Sequence, residues 1–243
     1  MRPLWKGSNP ADIEDWKPLS EDLLKFLGEQ KVDQLIGMGH SIGAIVTLRA
    51  ALKDPNRFQA LVLIEPVLFP PYFMLEWNLA RIVGLGNRLN PKIGGALKRR
   101  REFDDLGQVF TGYRRRTVFR YFSDENLLTF IRGITKPQTR KGDMQFQNGG
   151  YELVYSPEWE ARIYFTGLWN DWDLWRDLPH LDIPTLILRG SETDTFWDST
   201  AHSIREKNPK IKVLTVEKST HLLPLEKPKE VFEITQSFLE EIQ

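Results

Sequence analysis

The sequence predicts an α/β protein, a mostly parallel sheet interrupted by a long, largely helical insertion. Short apolar runs at Val32 to Met38, Phe58 to Ile64, Ile183 to Leu188 and Ile211 to Val216 read as strands, and the continuous ones, Phe58 to Ile64 and Ile183 to Leu188, have the pattern of parallel strands buried on both faces. Segments of helical period alternate with them, which implies right-handed crossovers. Residues Glu65 to Leu181, more than a hundred, separate the second run from the third.

Taken in order, Ala11 to Gln30 places Trp16, Leu19, Leu23, Leu24 and Leu27 at helical spacing, with Gly28 as a stop signal. The run Val32 to Met38 then leads into Gly39-His40-Ser41-Ile42-Gly43, and Ala44 to Leu52 reads as a buried helix. At the far end, Lys229 to Ile242 sets Val231, Phe232, Ile234, Phe238, Leu239 and Ile242 on one side of a closing helix. Inside the insertion, Tyr72 to Leu85, Arg114 to Phe122, Glu125 to Ile134 and Pro157 to Phe165 are predicted helical. Phe146 to Val154 is predicted to be a hairpin turning at Asn148-Gly149-Gly150.

Composition limits the chemistry. Cysteine is absent, so disulfides, thiolate zinc, iron–sulfur clusters and a cysteine nucleophile are excluded, and the expected compartment is the cytoplasm. With 33 basic and 33 acidic side chains the net charge is zero, which excludes a polycation or an acidic tail. The longest weakly polar run, Leu35 to Leu48, is too short for the ~20 apolar residues of a spanning helix. No cofactor and no metal site are predicted. The arginines of Lys98-Arg99-Arg100-Arg101 and Arg114-Arg115-Arg116 with Arg120 are interspersed with Glu102, Asp104 and Asp105. They read as a solvated face rather than a nucleic-acid or coenzyme A site. The aromatics Phe69, Tyr72, Phe73, Trp77, Trp159, Trp169, Trp172 and Trp175 point either to an apolar substrate pocket or to packing within the insertion.

The chemistry-bearing motif is Gly39-His40-Ser41-Ile42-Gly43, a G-x-S-x-G between a strand and a helix. A serine hydroxyl needs a sharp turn to stand clear of the backbone, and flanking glycines let neighbouring elements approach. The same turn aims the next helix N-terminus at developing negative charge. Two more loops follow apolar runs: Arg189 to Asp194 after Leu188, and Ser219 to Pro224, with His221, after Val216.

The segments LIGMGHSIGA, TLILRGSETDTF and STHLLPLEKP resemble the nucleophile, acid and histidine segments of the α/β-hydrolase superfamily, in that chain order. The resemblance implies an α/β-hydrolase fold with core residues 1–65 and 182–243 and a variable cap over 66–181. It implies Ser41 as nucleophile, His221 as general base and Asp194 as the carboxylate that orients the imidazole. Ile42 would be one oxyanion donor through its backbone. Glu192 and Asp198 rival Asp194, and so does Glu65, since some relatives place the acid after that strand. His180 and His202 read as surface residues, and His40 as packing or hydrogen-bonding beside the elbow. An aspartate nucleophile is excluded by the serine.

The chain departs from the family at its front. MRPLWKGSNP resembles the stretch just before the helix that precedes the elbow strand. The N-terminal part of the eight-stranded sheet is thus expected to be absent, with the loop that supplies the second oxyanion N–H. Loss of one such donor typically costs about 100- to 1,000-fold in turnover. The elbow strand would become an exposed apolar edge. Two functions follow as expectations. One is a serine hydrolase, carboxylesterase-like, cleaving an ester or related acyl bond of a small apolar substrate, with thioester, carbon–carbon and perhydrolysis versions of the same site. The other is a truncated or non-catalytic relative that forms a homo-oligomer or binds a partner through that edge. In either case the expected partners include no nucleic acid.

Overall fold

The computed structural model describes residues 2–85, 88, 90–138 and 150–242. A four-stranded parallel sheet joins β1 (Leu35–His40), β2 (Phe58–Ile64), β6 (Thr185–Gly190) and β7 (Lys212–Val216) in that order; β3 to β5 lie in the insertion. Each strand matches a predicted apolar run, with small shifts that have local causes. Before β1 the chain turns through Lys31 and Gln34 at φ 52° and 58°, so pairing starts at Leu35 rather than Val32. Before β6, Pro184 has no N–H to donate, although its carbonyl still accepts from the Leu61 N–H at 2.9 Å.

Helices cover both faces. α1 (Lys17–Glu29) precedes β1, and α2 (Ile42–Lys53) follows it with every residue from Ala44 to Ala51 buried. α2 lies hard against β1: a Cβ on Gly37 would stand 2.7 Å from Thr47 Cγ2. On the opposite face Ala60, Val62, Ile64, Leu186, Leu188 and Val216 pack with Val231 and Phe238 of the C-terminal helix Pro228–Glu241. Each of the larger of these side chains, Ala60 excepted, contributes about 1.5 to 3 kcal/mol when buried.

β1 is a margin of the sheet among the described residues. Ile36 and Met38 pair in register with Ala60 and Val62 and so share their face, yet they are 43% and 54% exposed.

The chain divides into two compact units, Ile13–Gly86 with Thr166–Gln243, and Met1–Asp12 with Asn87–Phe165. Within the first unit, residues 69–78 are bonded to residues 167–175. Trp77, on α3 (Pro71–Ile82), donates its indole N–H to the Gly167 carbonyl at 3.1 Å, and Trp175 donates to Phe69 at 3.0 Å. Trp175 lies on α8 (Trp172–Asp177), a helix the sequence reading missed. Arg49 of α2 reaches the same segment, donating to Asp171 at 2.7 Å and Asp173 at 3.2 Å. Asp171 is 1% exposed, and burial, outweighing the attraction of Arg49, pushes its carboxyl up to about 7.

The other unit holds the antiparallel strands β3 (Glu102–Phe103), β4 (Thr135–Pro137) and β5 (Tyr151–Leu153), ordered β3-β5-β4. The predicted turn at Asn148-Gly149 lies outside the described residues, while β5 follows it as an antiparallel strand. Its helices are α4 (Pro91–Leu97), α5 (Leu106–Arg114), α6 (Asp124–Ile134) and α7 (Pro157–Thr166). The helix predicted over Arg114 to Phe122 is instead the end of α5 and a short 3₁₀ turn at Thr117–Phe119. That turn lets Phe119 and Phe122 pack edge to face at 5.2 Å. The arginines are largely engaged within this unit, Arg99 with Glu160 at 2.7 Å, Arg101 with Glu158 and Arg114 with Asp124 at 2.6 Å. Of the insertion aromatics, Phe69, Trp77, Trp159 and Trp175 are buried, whereas Tyr72 and Trp172 are exposed. Among the described residues no helix is long and apolar enough to cross a membrane.

Candidate active site

Ser41 sits between β1 and α2 at φ 60°, ψ −125°, a left-handed conformation that costs a non-glycine residue of order 1 to 3 kcal/mol. The fold holds it there from both sides. The Ser41 N–H donates to the Ile64 carbonyl at 3.0 Å, and the Ser41 carbonyl accepts from Ala44 at 3.1 Å. Gly39 is required by space, since a Cβ there would stand 2.4 Å from the Gly43 carbonyl oxygen. The crowding is one-sided: a Cβ on Gly43 meets nothing within 4 Å. As the first residue of α2, Ile42 has no partner four residues back for its N–H, and the helix dipole adds partial positive charge at that end.

The parallel register brings the strand ends together. His40 pairs with Ile64, Ile64 with Leu188 and Gly190 with Val216, so the loops beginning at Ser41, Glu65, Ser191 and Glu217 leave one edge of the sheet. Ligands of open α/β sheets bind at this carboxyl end. The last two loops are laced together: Ser191 donates to the Val216 carbonyl and Glu192 to the Ser219 carbonyl, both at 2.9 Å. A Cβ on Gly190 would stand 2.5 Å from the Ser219 oxygen.

There the side chains meet. Ser41 Oγ lies 2.8 Å from His221 Nε2. His221 Nδ1 lies 2.6 Å from Thr195 Oγ1 and 3.3 Å from Glu65 Oε2. Glu65 is fully buried. It accepts from the Gly190 N–H and the Thr193 hydroxyl at 2.5 Å each, and from the Thr195 hydroxyl at 3.1 Å. A serine hydroxyl on an imidazole whose far nitrogen faces a carboxylate is the arrangement of an activated nucleophile.

The carboxylate facing the imidazole is therefore Glu65, where the resemblance put Asp194. The two differ in surroundings: Glu65 directly follows the largely buried strand β2 and is itself buried, while Asp194 is an exposed loop residue whose carbonyl accepts from the Trp197 indole at 3.2 Å. Glu192 is likewise exposed, and Asp198 pairs with Arg189. His40 donates from Nε2 to the His221 carbonyl at 2.7 Å, with ring centroids 5.1 Å apart, the neighbouring role read for it. Burial, and then the proximity of His221, lowers its pKa. His180 and His202 are both exposed.

A family model described as the alpha/beta hydrolase family matches residues 2–234. The chain belongs to the α/β-hydrolase family. This α/β hydrolase is 22% identical to a proline iminopeptidase of Saccharolobus solfataricus, over 98% of the chain and 73% of that protein. An α/β hydrolase from Novosphingobium aromaticivorans superposes with TM-score 0.70 at 19% identity, covering 96% of this chain and 74% of the other. An esterase from Mycobacterium tuberculosis gives 0.65 at 19% identity, over 93% and 69%. For E-2-(acetamidomethylene)succinate hydrolase the values are 0.69 and 17%, over 94% and 75%.

Three residues of this hydrolase's site escaped sequence reasoning. Thr193 and Thr195 flank Asp194 and differ from it only in what they face. Glu226 is buried and accepts from the Thr220 N–H at 2.6 Å and hydroxyl at 2.7 Å, fixing the residue before His221. A signal for Glu65 did exist, a single carboxylate closing the run FQALVLI.

Proposed function

We propose that this α/β hydrolase is a serine hydrolase acting on a carboxylic ester or related acyl bond of a small apolar substrate. Ser41 is its nucleophile, His221 its general base and Glu65 its orienting acid. The observation that carries the reading is the 2.8 Å contact between Ser41 Oγ and His221 Nε2 at a strained elbow. In this reading Ser41 Oγ attacks the acyl carbon as its proton passes to Nε2. The new oxyanion faces the Ile42 N–H and the α2 N-terminus. His221 returns the proton to the leaving group, and water then cleaves the acyl-enzyme by the same route. The apolar preference is supported by Phe69, Phe73 and Trp197, which follow Glu65 and Thr195 in sequence and pack with centroids 4.8 to 5.0 Å apart.

The test is labelling of the folded chain by a fluorophosphonate, read by intact mass, beside turnover of p-nitrophenyl esters and proline p-nitroanilide. One label per chain, lost in Ser41→Ala, is expected, with turnover of the esters. Turnover of the anilide alone would move the substrate class to aminoacyl amides, as the name of the iminopeptidase relative suggests. Absence of labelling would favour the second reading, a non-catalytic protein that pairs through the β1 margin, supported by the exposure of Ile36 and Met38.

A further inference from the structure

For His221 Nε2 to receive the Ser41 proton, the neutral imidazole must carry its own hydrogen on Nδ1. Nδ1–H is then a donor, and its nearest acceptor is a hydroxyl: Thr195 Oγ1 at 2.6 Å, against 3.3 Å for Glu65 Oε2. A hydroxyl has a single hydrogen. While Thr195 accepts from Nδ1, that hydrogen is directed to Glu65 Oε2 at 3.1 Å. Thr193 gives its own hydrogen to Glu65 at 2.5 Å and accepts the Thr195 N–H at 3.2 Å, whereas it is Thr195 that lies against Nδ1.

We infer that Thr195 is a positioning residue of the base, the link through which Glu65 holds His221. The inference rests on the triad reading above. Three observations fix the hydroxyl in place. Thr195 is 6% exposed and the Phe196 that follows it is fully buried. Arg189 donates to the Phe196 carbonyl at 3.3 Å and pairs with Asp198, pinning the loop on the far side of Thr195. A β-branched side chain also has few χ1 rotamers. When His221 takes the Ser41 proton, the charge is met by an oriented hydroxyl dipole backed by a fully buried carboxylate.

The experiment compares the parent chain, Thr195→Val, Thr195→Ser and Ser41→Ala. Thr195→Val keeps the shape and removes the hydroxyl. The rate of Ser41 labelling by a fluorophosphonate, measured against pH, should fall about 10- to 100-fold in Thr195→Val, the scale of a lost hydrogen bond to a charged group. Its acidic limb should move to lower pH, because an imidazolium with a poorer acceptor is a stronger acid. Thr195→Ser should return both to near the parent. By NMR, the far-downfield Nδ1 proton of His221, assigned by its loss in His221→Gln, should weaken or vanish in Thr195→Val and persist in Thr195→Ser. A folded Thr195→Val with the parent's pH profile and Nδ1 resonance overturns the inference while the triad stands. A parent that does not label, or a Ser41→Ala variant that does, overturns the triad reading instead.

Discussion

Ser41 and Glu65 leave neighbouring strands in the same way, each one residue beyond the pair His40 and Ile64 and each at positive φ, 60° and 48°. Their N–H groups donate across the sheet to Ile64 at 3.0 Å and Leu188 at 2.8 Å. The left-handed bend turns each side chain off its strand, so hydroxyl and carboxylate approach the imidazole from adjacent strand ends.

This pairing predicts which acid matters. Glu65→Gln should lower turnover by about 10³- to 10⁴-fold, the scale seen when an orienting carboxylate becomes an amide. Asp194→Asn should stay within a few-fold of the parent. Steady-state kinetics on one ester decides it, and the reverse ranking would return the role to Asp194.

Gly39→Ala should disable the elbow. The added methyl would stand 2.4 Å from the Gly43 oxygen, a backbone atom that cannot move without shifting α2, so fluorophosphonate labelling should be lost. Gly43→Ala, with open space at its Cβ, should keep it, and equal labelling of the two would contradict the packing described.

Asp171 predicts a pH dependence of stability. Its carboxyl is raised from an ordinary value near 3.8 to about 7 by burial, so between those values the folded chain binds the proton that the unfolded chain releases. The protonated form's stabilisation is complete below about pH 4 and lost as pH rises to about 7, an effect of up to about 4 kcal/mol. Urea unfolding at pH 5 and pH 8 should show a smaller difference in Asp171→Asn than in the parent, and an unchanged difference would refute the assignment.

The β1 margin predicts self-association. An apolar strand edge with unpaired backbone groups is a template for another strand, and charge on its exposed face should blunt it. Light scattering should show oligomer in the parent and a shift toward monomer in Ile36→Lys with Met38→Glu. A monomeric parent would count against the pairing reading.

What the sequence could convey follows from the range of each interaction. Strands and elbow were legible because runs such as FQALVLI and the spacing of Gly39, Ser41 and Gly43 are local patterns. The choice between Glu65 and Asp194 was not, since both follow strands and only the fold decides which is buried beside Nδ1. Thr195 was invisible for the same reason, as its partners lie 26 and 130 residues away. The helix over Trp172–Asp177 was lost because six residues are too few to display a period.

Ser41, the proposed nucleophile, follows a strand at the margin of the described sheet. Hydrogen bonds tie β1 to β2 on one side, and the described residues supply no strand on the other, so its unfolding needs fewer bonds broken than that of β2 or β6. Local opening from such a margin has a lower free energy than global unfolding. The strain stored at Ser41 relaxes as soon as its strand detaches. Warming should therefore silence the chain before it melts it, with reactivity toward Ser41 fading at temperatures where the rest of the sheet still gives a native circular dichroism spectrum.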